Sequence, residues 1–286
     1  MELIDGKQIA QEIQAELKEQ IRSLPGRPPC LAVILVGDHA PSHIYVKRKM
    51  AACEEVGIIS IRKHFPMTIT ELELLEEVER LNHNPDVDGI LVQLPLPDTI
   101  NPHTITNAVD PTKDVDGLHP LNIGKLLLHQ TGGFAPCTPL GVMTLLAKKK
   151  VEVTGRQALV IGRSHLVGKP MAALLLQSTP SGNATVTVAH RHSTNLSHLC
   201  QQADILISAV GQPRLITKEM VKPGAVVIDV GINKIDTDAG YKIVGDVAFD
   251  EVAPLCSAIT PVPGGVGPMT IAMLLSNTLK SLLSRC

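Results

Sequence analysis

The segment from Ala158 to Leu176, ALVIGRSHLVGKPMAALLL, constrains the fold of this chain more than any other part of it. A short apolar run over 158–161 ends at Gly162, and an amphipathic run begins shortly after Gly168. This order predicts a buried strand, a tight glycine turn and a helix, an arrangement that points free backbone N–H groups at a phosphate. The alternative is a turn whose glycines only allow the helix and the strand to pack closely.

The glycine turn carries further features that bear on its ligand. The turn differs from the usual G-x-G-x-x-G pattern, because Ser164 occupies the second glycine position and the third glycine, Gly168, lies one residue later than usual. Arg163 also lies inside the turn. A cation there suits a ligand with a phosphate besides the pyrophosphate, as in NADP. Arg191 follows the next predicted strand, whose end faces the adenosine ribose in dinucleotide folds, and arginine there accommodates a 2′-phosphate. The alternative for Arg191 is a solvated loop residue.

Apolar runs and helical stripes alternate along the rest of the chain. Predicted strands cover 31–36, 60–65, 89–94, 158–161, 184–188, 204–210 and 225–230. Predicted helices begin near residues 5, 41, 70, 103, 138, 169, 193 and 268. Such alternation predicts right-handed βα units and parallel sheets. The stretch 95–137 separates two such series, so the predicted fold class is α/β: two α/β domains with parallel sheets, the second a Rossmann-like dinucleotide-binding domain, with an active-site cleft between them.

Composition narrows the classes of function. The formal net charge is −2 and the charges are interspersed, which argues against a nucleic-acid partner. No apolar stretch reaches membrane-spanning length and the first residues lack a targeting pattern, so we expect a soluble cytoplasmic protein without a membrane partner. None of the six cysteines and eleven histidines has the spacing of a familiar metal motif, so we expect reduced thiols and no metal.

Tyr45 and Lys49 lie four residues apart on a predicted helix and therefore share one face. In general, a lysine can exchange a proton when burial and neighbouring groups lower its pKa, and a tyrosine can position it or stack on a flat substrate. The pair is thus a candidate for proton-transfer chemistry. The alternative is a solvated helix surface, because Lys47 and Arg48 are adjacent.

Three loops carry further candidate residues. Gln93 ends a buried strand, where parallel sheets bind ligands, so it could orient a lysine; the alternative is an amide bound by the following proline turn. Asp116 could accept paired N–H donors from a pyrimidine-like ring, although Asx-turn chemistry explains the aspartates of DVDG more simply. The loop 259–270, ITPVPGGVGPMT, has three prolines and three glycines, which predicts backbone held against a ligand.

Together these segments resemble the bifunctional methylenetetrahydrofolate dehydrogenase/cyclohydrolase (FolD) family over nearly the whole chain. The most specific pieces, in the family's order, are SHIYVKRK, GILVQLPLP, KDVDGL, GRSHLVGKP, DVGIN, VGDV and ITPVPGGVGPMT. The resemblance implies tetrahydrofolate derivatives as substrates: oxidation of 5,10-methylenetetrahydrofolate by NADP, then hydrolysis of the methenyl product to 10-formyltetrahydrofolate. It also implies a homodimer.

The resemblance implies roles for individual residues as well. Lys49 is expected to be the general acid/base of the cyclohydrolase step, held by Gln93, with Tyr45 against the folate and Asp116 on the pterin ring. The folate site is expected to include Pro263, Gly264, Gly265, Val266 and Gly267. NADP is expected to be held by Gly162, Arg163, Ser164, Gly168, Arg191 and Ile232. The implied domains are 1–138 with 264–286 for folate and catalysis, and 139–263 for NADP.

Two positions depart from the family's commonest pattern. Many members have Ser or Thr at the position of Arg191, and others, some of them NAD-dependent, have His-Arg there. Members that use magnesium and phosphate with NAD carry an aspartate near the position of Asn183, so this asparagine favours NADP without a metal. Two alternative functions remain. One is that of a dehydrogenase-only family member, although such members tend to lose the lysine at position 49. The other is that of a folate-binding or nucleotide-binding regulator, which does not need a lysine for proton transfer.

Overall fold

The computed structural model describes residues 1–237 and 240–285. They form two compact units. The six-stranded unit comprises Met1–Ala10 and Thr138–Thr270, and the three-stranded unit comprises Gln11–Cys137 and Ile271–Cys286. The predicted domain ranges divide the chain at nearby positions, except that the first residues lie in the unit of the six-stranded sheet. The assignment of the two ranges to folate and to NADP stays a prediction.

The strands and helices of the described residues alternate for most of the chain. The strands are β1 (Glu2–Leu3), β2 (Cys30–Val36), β3 (Ile59–Phe65), β4 (Gly89–Val92), β5 (Gln157–Ile161), β6 (Thr185–Ala189), β7 (Ile205–Ser208), β8 (Val226–Asp229), β9 (Asn233–Thr237), β10 (Gly240–Val244) and β11 (Ala258–Ile259). The helices are α1 (Gly6–Arg22), α2 (Ala40–Val56), α3 (Glu71–His83), α4 (Pro102–Ala108), α5 (Pro120–Leu127), α6 (Cys137–Lys148), α7 (Gly168–Leu176), α8 (Leu196–Gln202), α9 (Phe249–Val252) and α10 (Val266–Arg285).

The three-stranded unit is built around β2. Its sheet is parallel with the order β3-β2-β4, and every residue of the central strand is buried. A continuous apolar run predicts a strand covered on both faces, and that prediction is confirmed. Aliphatic side chains from α3 and α4 pack against the same sheet. The carboxyl ends of the three strands therefore meet at one edge, where parallel sheets bind their ligands.

Local signals set the ends of several helices. The Asp5 carboxylate accepts the N–H of Gln8 at 3.0 Å and so caps the start of α1, where the sequence predicts a helix to begin. Thr70 and Glu73 form a reciprocal capping box at the start of α3. Gly57 ends α2 in the left-handed conformation, with φ of 87°. These ends agree with the predicted helices to within a few residues.

The six-stranded unit has a parallel sheet with the order β1-β11-β8-β7-β5-β6. From β5 the chain moves outward to β6 and then crosses back to β7 on the other side. The order therefore reverses between β5 and β7, and a crevice at such a switch point is where doubly wound sheets bind ligands. The predicted α/β fold class with parallel sheets is confirmed.

Some elements were not predicted from the sequence. Helix α5 begins at a proline, and the His119 ring accepts the N–H of Leu121 at 3.0 Å as its cap. The antiparallel pair β9 and β10 carries the polar sequence NKIDT in its first strand. Strands β1 and β11 have two residues each. The helix predicted to begin near Ser193 is present as α8, but it starts at Leu196, after Asn195 in the left-handed conformation.

Among the described residues, no helix combines the length and the apolarity that crossing a membrane requires.

Candidate active site

Lys49 and Gln93 meet at the carboxyl edge of the three-stranded sheet. Lys49 lies on α2, which follows β2, and Gln93 follows β4 directly. The Lys49 Nζ donates a hydrogen bond to the Gln93 Oε1 at 3.0 Å. The Gln93 Nε2 in turn donates to the carbonyl of Leu94 at 2.8 Å. Both interpretations of Gln93 are therefore compatible. The backbone of the proline turn holds the amide nitrogen of the side chain, and the amide oxygen accepts the hydrogen bond from Lys49.

Tyr45 lies one helical turn before Lys49 on α2, and its side chain is at the surface, with 36% of the residue exposed. Lys49 is half-buried, whereas Lys47 and Arg48 beside it are exposed. The helix surface is thus not uniformly solvated, because its lysines differ in burial and only Lys49 reaches the sheet edge. This difference favours a positioned lysine over the alternative of a solvated helix face.

The two aspartates of the DVDG loop have different environments. Asp114 is buried, and its carboxylate accepts hydrogen bonds from the N–H groups of Leu118 and His119 and from Asn122 Nδ2 at 3.1, 2.8 and 2.8 Å. Burial raises the pKa of Asp114 to about 6, against the lowering effect of these hydrogen bonds. Asp114 is therefore the aspartate that forms the hydrogen bonds of the turn. Asp116 is half-buried and remains a candidate for binding a ligand.

Cys137 is a buried residue of the same unit that the sequence did not single out. Its thiol is buried and donates to the carbonyl of Val115 at 3.3 Å. Burial raises the pKa of this thiol well above its usual range, the negative charge of Asp116 raises it further, and the Lys49 ammonium acts in the opposite direction. Cys137, Asp116 and Lys49 all belong to the three-stranded unit. No spacing pattern in the sequence marks Cys137.

The glycine turn after β5 is packed as closely as its sequence predicts. A Cβ added to Gly162 would lie 2.3 Å from the carbonyl oxygen of Ala209, and one added to Gly168 would lie 2.1 Å from the Gly162 oxygen. The Ser164 Oγ accepts the N–H groups of Val167 and Gly168 at 3.1 and 3.4 Å, so it caps α7. The glycines therefore do allow the strand and the helix to pack closely, as the alternative interpretation expects. The same turn also lies at the switch point of the sheet, where a ligand can bind.

The two arginines predicted to face the nucleotide lie on neighbouring loops. Strands β5 and β6 pair in register with Ile161 opposite Ala189, so the loops carrying Arg163 and Arg191 begin side by side. Both arginines are exposed, and Arg191 Nε donates to the ring nitrogen Nε2 of His192 at 3.1 Å. Two cations thus follow adjacent strand ends at the carboxyl edge of the six-stranded sheet.

A buried carboxylate network holds the loops after β7 and β8. Asp246 is fully buried and accepts hydrogen bonds of 2.8–3.3 Å from Ser208 Oγ, from Asn233 Nδ2 and from the N–H groups of Val210, Gly211 and Gln212. Asp229 accepts the N–H groups of Gly231, Asp246 and Val247 at 2.9, 3.0 and 2.9 Å.

Burial raises the pKa of Asp229 to about 6, and the charge of Asp246 also raises it. Ile232, a predicted cofactor residue, lies between two residues that this network holds, and it is 51% exposed. The sequence analysis did not single out either aspartate as a structural group, although Asp229 lies in the segment DVGIN and Asp246 in the segment VGDV.

The predicted folate loop belongs to the six-stranded unit, whereas Tyr45, Lys49, Gln93 and Asp116 belong to the three-stranded unit. The Gly264 carbonyl accepts the N–H of Lys7 at 2.9 Å, and a Cβ on Gly6 would lie 1.9 Å from the Gly265 oxygen. The glycine-rich backbone is therefore held against the start of α1. Pro263 follows a cis peptide bond, and Val266 and Gly267 begin α10.

Comparison with protein families matches both parts of the chain. Residues 4–116 match the model described as tetrahydrofolate dehydrogenase/cyclohydrolase, catalytic domain, and residues 136–286 match the NAD(P)-binding domain of the same name. The chain is 62% identical over 282 residues to the bifunctional protein FolD of Protochlamydia amoebophila, covering 98% of this chain and 97% of that protein. It is 50% identical over 288 residues to the FolD of Prosthecochloris aestuarii, covering 98% of each.

Solved structures of similar proteins share the whole fold. The bifunctional FolD methylenetetrahydrofolate dehydrogenase/cyclohydrolase of Campylobacter jejuni superposes with a TM-score of 0.95 at 51% identity, covering 99% of each chain. The FolD of Trypanosoma brucei, solved with NADP cofactor and an inhibitor, has a TM-score of 0.92 at 38% identity and covers 99% of this chain and 97% of that one.

Proposed function

This chain belongs to the tetrahydrofolate dehydrogenase/cyclohydrolase family, and on that premise we propose which of its residues perform each step. The protein is a bifunctional enzyme. It oxidises 5,10-methylenetetrahydrofolate to the methenyl form with NADP and then hydrolyses the methenyl form to 10-formyltetrahydrofolate. The hydrogen bond between Lys49 and Gln93, 3.0 Å long, is the observation that carries the assignment of the hydrolytic step.

Lys49 is the general acid/base of the hydrolysis. Water adds to the methenyl carbon, and opening of the resulting ring needs a proton taken from one atom and delivered to another. A carboxylate beside Lys49 would favour the charged ammonium, whereas the neutral amide of Gln93 adds no charge. The Gln93 oxygen accepts one N–H from the amine in either protonation state, so the side chain keeps its position while it gains and loses a proton.

The remaining residues of the folate site orient the substrate. The phenol of Tyr45, at the surface of the same helix, stacks on the flat rings, and Asp116 accepts N–H donors of the pterin. The family resemblance also assigns Pro263 and the glycine backbone after it to folate binding. The oxidation step is driven by a nitrogen lone pair of the substrate, so here the protein mainly holds two rings in position.

The dinucleotide site is the crevice at the switch point of the six-stranded sheet, and its residues fit that ligand. Gly162 and Gly168 let backbone approach the pyrophosphate at the start of α7, and Ser164 keeps a hydroxyl proton to donate. We assign the 2′-phosphate of NADP to Arg191, with Arg163 on the neighbouring loop. Ile232, on the loop that Asp229 and Asp246 hold, would contact the cofactor. When bound, NADP accepts the hydride.

Replacing Lys49 by glutamine tests the assignment. The variant keeps a hydrogen-bonding side chain of similar length but has no group that can carry the proton, so hydrolysis of methenyltetrahydrofolate should fall by about 10²–10⁴-fold. Lys47→Gln is the matched control, because Lys47 is an exposed lysine on the same helix. Dehydrogenase activity should persist in both variants. Hydrolysis by Lys49→Gln at the rate of the Lys47→Gln control would show the assignment to be wrong.

For assembly and compartment we propose a homodimer in the cytoplasm. The homodimer rests on the family resemblance alone. The compartment is supported by the free, buried thiols of Cys30, Cys53, Cys137, Cys200 and Cys256, because reduced cysteines are typical of a reducing environment. A measurement of molar mass by light scattering at working concentrations distinguishes a dimer from a monomer.

A further inference from the structure

A cluster of two histidines and an aspartate lies at the carboxyl edge of the three-stranded sheet. Asp38 follows β2, His43 lies near the start of α2, and His64 lies on β3 opposite Leu35 of β2. One ligand atom from each of the three side chains lies within 4.8 Å of the others. The cluster joins three consecutive elements, so no short spacing pattern in the sequence marks it.

The distances between the donor atoms are short and nearly equal. The Nε2 atoms of His43 and His64 lie 3.3 and 3.1 Å from the carbonyl oxygen of Gly37. Each of these Nε2 atoms also lies 3.5 Å from Asp38 Oδ1. The two imidazole rings meet edge to face, with 5.1 Å between their centroids, so they do not stack and both point at the same two oxygens.

We propose that Asp38, His43 and His64, with the carbonyl of Gly37, bind a divalent transition-metal ion of the Zn²⁺ class. Bonds of about 2.0–2.2 Å from zinc to nitrogen and oxygen give a tetrahedron whose edges are about 3.3–3.6 Å long. The four measured nitrogen–oxygen distances, 3.1–3.5 Å, are close to these edges. Two imidazoles with one carboxylate are a donor set that suits this class of ion better than calcium or magnesium.

When no ion is bound, hydrogen bonds within the cluster account for the same distances. The contact of Arg62 with His43 belongs to this hydrogen-bonded state and competes with the metal-bound state. The Arg62 Nη2 lies 3.1 Å from His43 Nδ1. A guanidinium only donates, so Nδ1 accepts and the ring proton of neutral His43 is on Nε2, facing Gly37. A metal on Nε2 requires that proton to leave and Nδ1 to become a donor. Arg62 must then move away, which its exposed position permits.

The competition gives the site a distinguishing property. A hydrogen-bonded cluster without metal affinity would bind no ion whether Arg62 is present or absent. A metal site of this geometry should bind more tightly when Arg62 is removed, because the variant frees His43 Nδ1 and also removes a positive charge next to the ion. The site uses none of the residues assigned to folate or NADP.

The test is calorimetric titration of the full chain with Zn²⁺ in metal-free buffer, with Co²⁺ as a second probe because tetrahedral Co²⁺ absorbs visible light strongly. Wild type should bind a single equivalent with a Kd of about 10⁻⁶ M, and His64→Ala and Asp38→Asn should each weaken binding by about tenfold or more. Arg62→Ala should tighten it. His83→Ala is the matched control, because His83 is an exposed histidine on α3 outside the cluster, and it should leave binding unchanged.

Three results would overturn the proposal: no Zn²⁺ binding by wild type up to about 10⁻⁴ M, equal binding by wild type and both ligand variants, or weaker binding by Arg62→Ala. The folate chemistry is measured separately, so each of these results leaves the assignment of Lys49 untouched. His64 and Asp38 are exposed at the sheet edge, so their replacement is not expected to unfold the unit. A thermal melt of each variant checks this.

Discussion

At the residue scale, burial raises the pKa of two carboxyl groups of this enzyme. Asp114 and Asp229 are both buried, and burial raises the pKa of each to about 6 from an ordinary value of 3.8. Each accepts hydrogen bonds from backbone N–H groups, which oppose the rise. The two residues hold loops beside the proposed folate and cofactor residues, so their protonation bears on stability near neutral pH.

Asp114 makes the folded protein less stable as pH rises through its raised pKa. The native state keeps the proton between about pH 4 and 6 while the unfolded chain has lost it, so the contribution of Asp114 is present below the unfolded pKa and is lost as pH rises through about 6. Relative to Asp114→Asn, wild type should lose on the order of 1 kcal/mol of unfolding free energy between about pH 5 and 7.5. Denaturant titrations at the two pH values measure this change.

Asp98→Asn is the control for that comparison, since Asp98 is an exposed aspartate of the same unit. Its stability should follow the wild-type profile at both pH values. A difference between wild type and Asp114→Asn that does not change with pH would contradict the raised pKa of Asp114.

At the element scale, the start of α7 depends on a contact between two glycines. A Cβ at Gly168 would lie 2.1 Å from the Gly162 oxygen and 2.8 Å from the Arg163 Cα, and all of these neighbours are backbone. Backbone atoms cannot rotate away as a side chain can, so the turn must open to accept a methyl group. Opening it would separate β5 from α7 at the proposed pyrophosphate site.

Gly168→Ala should therefore lower the unfolding free energy by about 1–3 kcal/mol and weaken NADP binding by at least about tenfold. Gly124→Ala in α5 is the matched control, because a Cβ there meets nothing within 4 Å. Removing a helical glycine at an open position should stabilise the protein by about 0.5–1 kcal/mol. Denaturant titration and a fluorescence titration with NADP measure both effects. If Gly168→Ala bound NADP with unchanged affinity, the turn would not be part of the cofactor site.

At the scale of the whole molecule, long elements were predictable and short ones were not. Strand β2 is a continuous apolar run, and helices α1 and α3 have an apolar face and a capping residue at the start. These local signals made it possible to predict the α/β class with parallel sheets from the sequence. The pairing of β1 with β11 is a contact between distant parts of the chain, and it places the first residues in the six-stranded unit. Two-residue strands have no periodicity from which to predict them.

The candidate site shows the same division. The spacing of Tyr45 and Lys49 marked one helix face, and the position of Gln93 after a strand marked the sheet edge, but the 3.0 Å contact between Lys49 and Gln93 depends on how α2 packs on the sheet. The carboxylate network of Asp229 and Asp246 could not be derived from local sequence, because its donors come from loops after different strands. The family resemblance implied the roles of Lys49 and Gln93, and the structure showed the hydrogen bond between them.

The central claim is that one chain catalyses both steps in sequence, and a progress curve of purified wild-type enzyme with 5,10-methylenetetrahydrofolate and NADP tests it most directly. The absorbances of NADPH and of methenyltetrahydrofolate are followed together. NADPH is expected to rise steadily while the concentration of methenyltetrahydrofolate stays low, because the methenyl form is hydrolysed as it is formed. Methenyltetrahydrofolate accumulating in step with NADPH, or no NADPH formation at all, would contradict it.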